Sequence, residues 1–138
     1  MKLPYSGGCS CGEVRYECSA EPVGMLNCHC RQCQYASGGG FSAGFFVDRN
    51  AFNLLQGMAN FYELVADSGS IIRRGFCSSC GSQLFAEGNG NPDIIVIKPA
   101  SLDDPTWFQP QLDIFMDCAQ PWDHLDPALP KLPGMPEA

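Results

Sequence analysis

A single, mainly β domain is what this sequence predicts, on three observations. Short runs rich in Phe, Val, Ile and Tyr recur between Gly, Asn, Pro and Asp, the pattern of strands joined by turns. Only one stretch reads as helical. Seven of the nine cysteines stand at one- and two-residue gaps, which is metal-ligand spacing. At 138 residues the chain suits one domain with its own hydrophobic core. That domain is expected to span residues 1–138, with a core at about 5–125 and a proline-rich arm over 119–138.

The elements follow in order. Residues 13–18 (EVRYEC) alternate, with Val14, Tyr16 and Cys18 on one face and Glu13, Arg15 and Glu17 on the other, a half-buried strand. Further strands are expected at 23–27, 41–48, 58–65, 71–76, 83–87, 93–98 and 112–117. A helical turn is expected at Arg31–Ala36, stopped by Gly38-Gly39-Gly40. Ser68-Gly69-Ser70 reads as a hairpin turn. Residues 119–138 hold five prolines and little periodicity, so they read as an arm laid on the domain with Trp122 as its anchor.

Composition excludes several function classes. Formal net charge is −7, and the eight Lys and Arg are scattered, which argues against a nucleic-acid or anionic-membrane partner. Six acids and no Lys or Arg lie between Lys98 and Lys131, read as a solvated acidic surface. No run approaches the roughly 18 apolar residues of a membrane span. The start, MKLPYSGGCS, lacks the apolar region of a secretory signal. The expected compartment is the cytoplasm, where thiols stay reduced and favour metal over disulfides.

The cysteines divide into two sets. Cys9-Ser10-Cys11-Gly12 and Cys77-Ser78-Ser79-Cys80-Gly81 each end in Cys-Gly, where glycine allows the tight turn that aims amide N–H groups at sulfur. Together they supply four thiolates, enough to close a tetrahedral structural zinc site, with iron as the rival metal. Cys28, Cys30 and Cys33 supply three thiolates in six residues. A site with a vacant position does chemistry, and three thiolates suit zinc that accepts a soft thiol as fourth ligand. The alternatives are a second structural zinc, which would make a binding module, and a metal-free redox cluster. His29 between two ligands is expected to point away from the metal. Cys18 and Cys118 sit in apolar strand patterns and read as core.

Other features carry less. Ser37-Gly38-Gly39-Gly40 is no P-loop, because no Gly-Lys-Ser/Thr follows. Arg73 and Arg74 are neighbours on a strand, so they point to opposite faces, and the inward one could hold a substrate carboxylate. His124 has no evident role, and two histidines so placed give no Ser-His-Asp set.

The segments GGCSCGEVRYEC, NCHCRQCQYASGG, RRGFCSSCGSQLF, IKPASLDDP and QPWDHL occur in that order. Over roughly residues 5–125 they resemble the glutathione-dependent formaldehyde-activating enzyme family, also called the centromere-protein-V-type domain. The resemblance implies an Mss4-like fold with two zinc ions per chain, a structural one on Cys9, Cys11, Cys77 and Cys80 and a catalytic or exchangeable one on Cys28, Cys30 and Cys33. It also implies a carbon–sulfur lyase that adds glutathione to formaldehyde. A glutathione site needs local positive charge, for which Arg31, Arg73, Arg74 and Lys98 are the suppliers near the motifs.

Overall fold

Alternating burial marks the central strand of the small sheet. The computed structural model describes residues 1–136. In β2 (Arg15–Cys18) Tyr16 and Cys18 are fully buried while Arg15 and Glu17 stay partly exposed, the period of two read from the sequence. This strand pairs antiparallel with β1 (Tyr5–Gly8) and β5 (Phe52–Gln56) in a three-stranded sheet of order β1-β2-β5. Neither partner was expected. Half of β1 is glycine and most of β5 is exposed, so neither carries an apolar alternation to announce it.

The larger sheet has seven strands. Its members are β3 (Gly24–Cys28), β4 (Ser42–Asp48), β6 (Asn60–Val65), β7 (Ile71–Phe76), β8 (Gln83–Gly88), β9 (Ile94–Ile97) and β10 (Asp113–Ile114). They run in the order β10-β3-β4-β9-β8-β7-β6. The expected strands at 23–27, 41–48, 58–65, 71–76, 83–87 and 93–98 all exist, within two residues at each end. The expected strand at 112–117 is cut to two residues. Phe115 takes a left-handed φ of 56° and the chain turns into a 3₁₀ segment at Met116–Cys118, which breaks the ladder. The helical turn is α1 (Arg31–Ser37), ended by Gly38 in the left-handed region. Ser68-Gly69-Ser70 turns β6 into β7 as expected, with the Ala66 amide bonded to the Ser70 carbonyl at 2.8 Å.

The two sheets are joined by aromatic contacts. Tyr5 lies against Phe45 at 6.0 Å between ring centroids, and Phe52 against Phe85 at 5.0 Å. Tyr16, Phe45, Leu84, Ile95 and Ile97 are buried between them. Burying a side chain of this size contributes roughly 1.5–3 kcal/mol. No helix among the described residues is long and apolar enough to cross a membrane.

The arm is anchored, but not by Trp122, which is 65% exposed. Backbone bonds hold it instead: the Asp113 amide donates to the Pro130 carbonyl and the Leu132 amide to the Asp113 carbonyl, both at 2.9 Å. The Asp123 carboxylate is the buried tether. It sits so close over Gly40 that a Cβ there would lie 2.7 Å from its carboxyl carbon, well inside contact distance.

Candidate metal centres

The first cluster is assembled by turns far apart in sequence. Cys9 follows β1, and Cys77 follows β7. Gly12 and Gly81 both take a left-handed φ, 84° and 76°, which L side chains adopt at a cost. The four sulfurs of Cys9, Cys11, Cys77 and Cys80 lie within 4.8 Å of one another, with Cys9 to Cys11 at 3.6 Å and Cys11 to Cys77 at 3.8 Å. A zinc–sulfur bond of about 2.3 Å in a tetrahedron demands sulfur separations of about 3.8 Å. The donor set therefore fits zinc.

Hydrogen bonds prepare these sulfurs for charge. The Val14 amide donates to Cys9 Sγ at 3.2 Å. The Ser82 hydroxyl lies 3.2 Å from Cys80 Sγ. That hydroxyl, followed by the amides of Ser82 and Cys11, pulls the Cys80 pKa down to about 6. A thiolate that accepts such donors is favoured over the thiol.

The second cluster is local. Cys28 ends β3, Cys30 caps α1 and Cys33 lies in its first turn. Their sulfurs also lie within 4.8 Å of one another, and no fourth His, Cys, Asp or Glu among the described residues joins them. The Cys33 amide donates to Cys30 Sγ at 3.3 Å. The Cys28 thiol, then the Cys33 thiol, donate to Cys30 and hold its pKa far below the usual thiol range, while the same contact with Cys30 holds Cys28 high. Three sulfurs at these separations fit three corners of a zinc tetrahedron.

The residues proposed as bystanders are bystanders in space. Cys18 is buried and apart from both clusters, as expected. Cys118 is also apart, but it is half-buried on a 3₁₀ turn instead of in a strand core. His29 does point away from the sulfurs. Its Nδ1 lies 2.8 Å from an Asp123 carboxylate oxygen and its Nε2 lies 3.0 Å from one of Asp113.

That histidine corrects the reading of residues 99–130 as a solvated acidic surface at two positions, while Asp103, Asp104, Asp117 and Asp126 are exposed as expected. Asp113 is 2% exposed, and the Asp123 carboxylate is also buried. Lys131 Nζ lies 3.6 Å from the other Asp113 oxygen, and the Asn27 side chain donates to Asp113 at 3.3 Å. The two acids clamp the peptide between Cys28 and Cys30. Gln34 completes the clamp, donating to the His29 carbonyl at 2.7 Å and the Cys118 carbonyl at 3.0 Å. The signal for Asp113 was present: one acid inside the apolar run Leu112–Ile114–Phe115 must find a partner when that run is buried.

The basic residues also sort themselves. Arg73 and Arg74 face opposite sides of β7, as expected. Arg73, however, pairs with Glu63 and Glu87 at 3.3 and 2.9 Å and lies 3.9 Å over the Phe61 ring. Its charge is already met, so it leaves the set of carboxylate binders. Arg74 reaches the other way, to the carbonyl and side-chain oxygen of Gln32 at 3.3 and 3.2 Å. Lys98, where β9 runs into a 3₁₀ turn, bonds Ser42 Oγ at 2.9 Å, and Ser42 is the cross-strand partner of Cys28. Burial lowers the Lys98 pKa, partly offset by the nearby sulfur charges of Cys33 and Cys28.

Two clefts flank α1. One of about 610 Å³ is bordered by Lys98, Ser42, Ser37 and Arg15; the other, of about 480 Å³, by Arg74, Gln32, Tyr35 and Tyr62. Ala36 and Gln83 form a wall common to both.

A mainly β domain with one four-thiol and one three-thiol cluster, each at zinc-ligand spacing, is the class that fold and site define. Residues 4–118 match the model of the glutathione-dependent formaldehyde-activating enzyme (GFA) family, and the chain belongs to that family. A crystal structure of a Rhodobacter sphaeroides protein superposes with a TM-score of 0.58 at 19% identity, covering 71% of this chain and 87% of that one. At that identity the likeness is one of fold.

Proposed function

We propose that this chain is a zinc-dependent carbon–sulfur lyase that joins a small thiol such as glutathione to an aldehyde such as formaldehyde. The observation that supports it is the three-thiol cluster with no fourth protein ligand among the described residues. Family membership supports the same chemistry. Two zinc ions per chain are expected, a structural one on Cys9, Cys11, Cys77 and Cys80 and an exchangeable one on Cys28, Cys30 and Cys33.

Zinc on three thiolates supplies, when bound, a soft vacant position for an incoming thiol. The chain's own residues hold that position still. The bond from the Cys33 amide fixes Cys30, and the His29 and Gln34 contacts fix the peptide that carries Cys28 and Cys30. In the addition, the substrate sulfur forms a bond to the carbonyl carbon. The C=O π pair moves to oxygen, which takes the proton the thiol gave up, leaving a hydroxymethyl thioether. No oxidant or reductant is needed.

The test is zinc per chain by elemental analysis before and after dialysis against excess glutathione, paired with carbon-13 exchange spectroscopy of labelled formaldehyde and glutathione. Two zincs falling to one, with exchange faster than the uncatalysed reaction, is the expected result. Two zincs that stay bound, with exchange at the uncatalysed rate, would instead make this a noncatalytic zinc-stabilised interaction domain.

A further inference from the structure

The C-terminal arm is attached to the domain by polar contacts at two points. From Ala119 to Pro136 no residue is buried as a whole, and Trp122, Leu125 and Met135 are exposed. Towards its end the arm lies beside β10. There the Met116 amide donates to the Leu132 carbonyl at 3.0 Å and the Phe115 amide to the Gly134 carbonyl at 3.2 Å. Towards its start, the segment QPWDHL turns two polar side chains inward, three residues apart. Gln120 Nε2 donates to Gln34 Oε1 at 3.1 Å, and an Asp123 oxygen lies 2.8 Å from His29 Nδ1.

Both points lead to the segment that carries the three thiols. His29 stands between Cys28 and Cys30, and Gln34 follows Cys33. β10 is bonded to the same segment: Ile114 is the parallel partner of Cys28, and the His29 amide donates to the Ile114 carbonyl at 3.0 Å. Among the described residues, the arm's side-chain hydrogen bonds to the body of the domain end on His29 and Gln34. The first cluster receives none. Asp123 has little freedom of its own, since its side chain is 6% exposed and is packed over Gly40. With Asp113 on Nε2 at 3.0 Å, the His29 ring is held at both nitrogens. A ring so held cannot turn, and its peptides lead directly to a sulfur ligand on either side.

We propose that Asp123 is a positioning residue of the three-thiol cluster, and that docking of the arm is linked to zinc occupancy of that cluster. The proposal rests on the zinc reading of Cys28, Cys30 and Cys33. Through His29, the placing of two sulfurs depends on a carboxylate 94 residues later in the chain. Groups one step outside a metal's ligands change its affinity by about 10–100-fold. Linkage is reciprocal: whatever factor the docked arm adds to zinc affinity, zinc returns to docking of the arm. Loss of the Asp123 contact should loosen one zinc and not the other.

The test compares the zinc-loaded full chain with Asp123→Ala and Asp123→Asn. Competition with a chromophoric chelator reads the zinc affinity of each site, and the absorption of the cobalt-substituted protein reads the geometry at the thiols. Asp123→Ala should weaken the second site about tenfold, alter its cobalt spectrum and leave the first site unchanged. Asp123→Asn, whose side-chain oxygen can still accept a bond from His29 Nδ1, should recover most of that affinity. The reciprocal measurement needs no variant. Removing the second zinc from the unsubstituted chain should speed hydrogen exchange at the Asp113 and Leu132 amides, which bond β10 to the arm. That exchange decides alone if Asp123→Ala does not fold. Exchange indifferent to the second zinc overturns the proposal. So does a lower melting temperature in Asp123→Ala with second-site affinity unchanged, which would make Asp123 structural only. If the unsubstituted chain binds one zinc, the zinc reading of the three thiols falls and the linkage with it.

Discussion

The two cysteine clusters use the same ligand chemistry for opposite ends. The first draws its sulfurs from positions 66 residues apart and surrounds them with amides and a serine hydroxyl. The second takes three sulfurs from six consecutive residues at the end of β3 and the start of α1. On the proposed reading, the cluster that closes a long loop serves the fold, and the one that is local and incomplete serves a ligand. The difference lies in what surrounds the sulfurs, not in the sulfurs.

The largest expected effect is at the first cluster. Structural zinc supplies about 10–16 kcal/mol of apparent binding free energy, against about 5–15 kcal/mol for the stability of a whole domain. Cys77→Ser should therefore leave no cooperative melt by circular dichroism. A variant that melts within a few degrees of the parent would end the distinction between the clusters. Cys33→Ser should behave in the opposite way, keeping the melt while zinc falls from two to one per chain and thiol binding disappears from calorimetry. Full thiol binding in that variant would rule out the proposed site.

Next in size is the histidine clamp beneath the second cluster. Asp113→Ala leaves His29 and Lys131 with one acid fewer at a buried site, and breaking a buried pair costs about 3–5 kcal/mol. Urea denaturation should show a loss in that range; a loss below about 1 kcal/mol would mean that the clamp is not structural. The smallest effect belongs to Arg15 and Asp103, the ion pair beside Cys9. Arg15 holds the Asp103 carboxyl below the usual carboxylate range, so the pair stabilises the fold above the unfolded aspartate pKa of about 3.9. That contribution fades as pH falls through the lower folded value. With side chains 33% and 49% exposed, it should amount to about 0.2–1 kcal/mol. Arg15→Met should lower stability by that amount at pH 7 and converge with the parent as pH falls below the folded value; a gap that widens in acid would contradict the sign.

Much of the fold was legible because strand periodicity is a local signal. Tyr16 and Cys18 turned inward as their spacing required, and β7 spans 71–76 as expected. What was not legible lacked that signal. In β1 the pairing is made by Ser-Gly-Gly backbone, which any sequence offers. Trp122 looked like an anchor because large rings are usually buried, yet the arm is tethered by a carboxylate and by main-chain bonds. The acids at 113 and 123 looked solvated because their partner, His29, lies more than 80 residues earlier.

By itself the sequence determined the division of the cysteines into a set of four and a set of three. Ligand geometry is written in gaps of one and two residues, and the Cys-Gly turns that shape the first set are equally local. Only the tertiary structure decided which charges meet those sulfurs. Strand register set Ser42 opposite Cys28 and so brought Lys98 to one cleft. The pleat of β7 spent Arg73 on glutamates and aimed Arg74 at Gln32. Charge carries no periodicity along a chain, and whether a cation is paired depends on neighbours that only folding brings within reach.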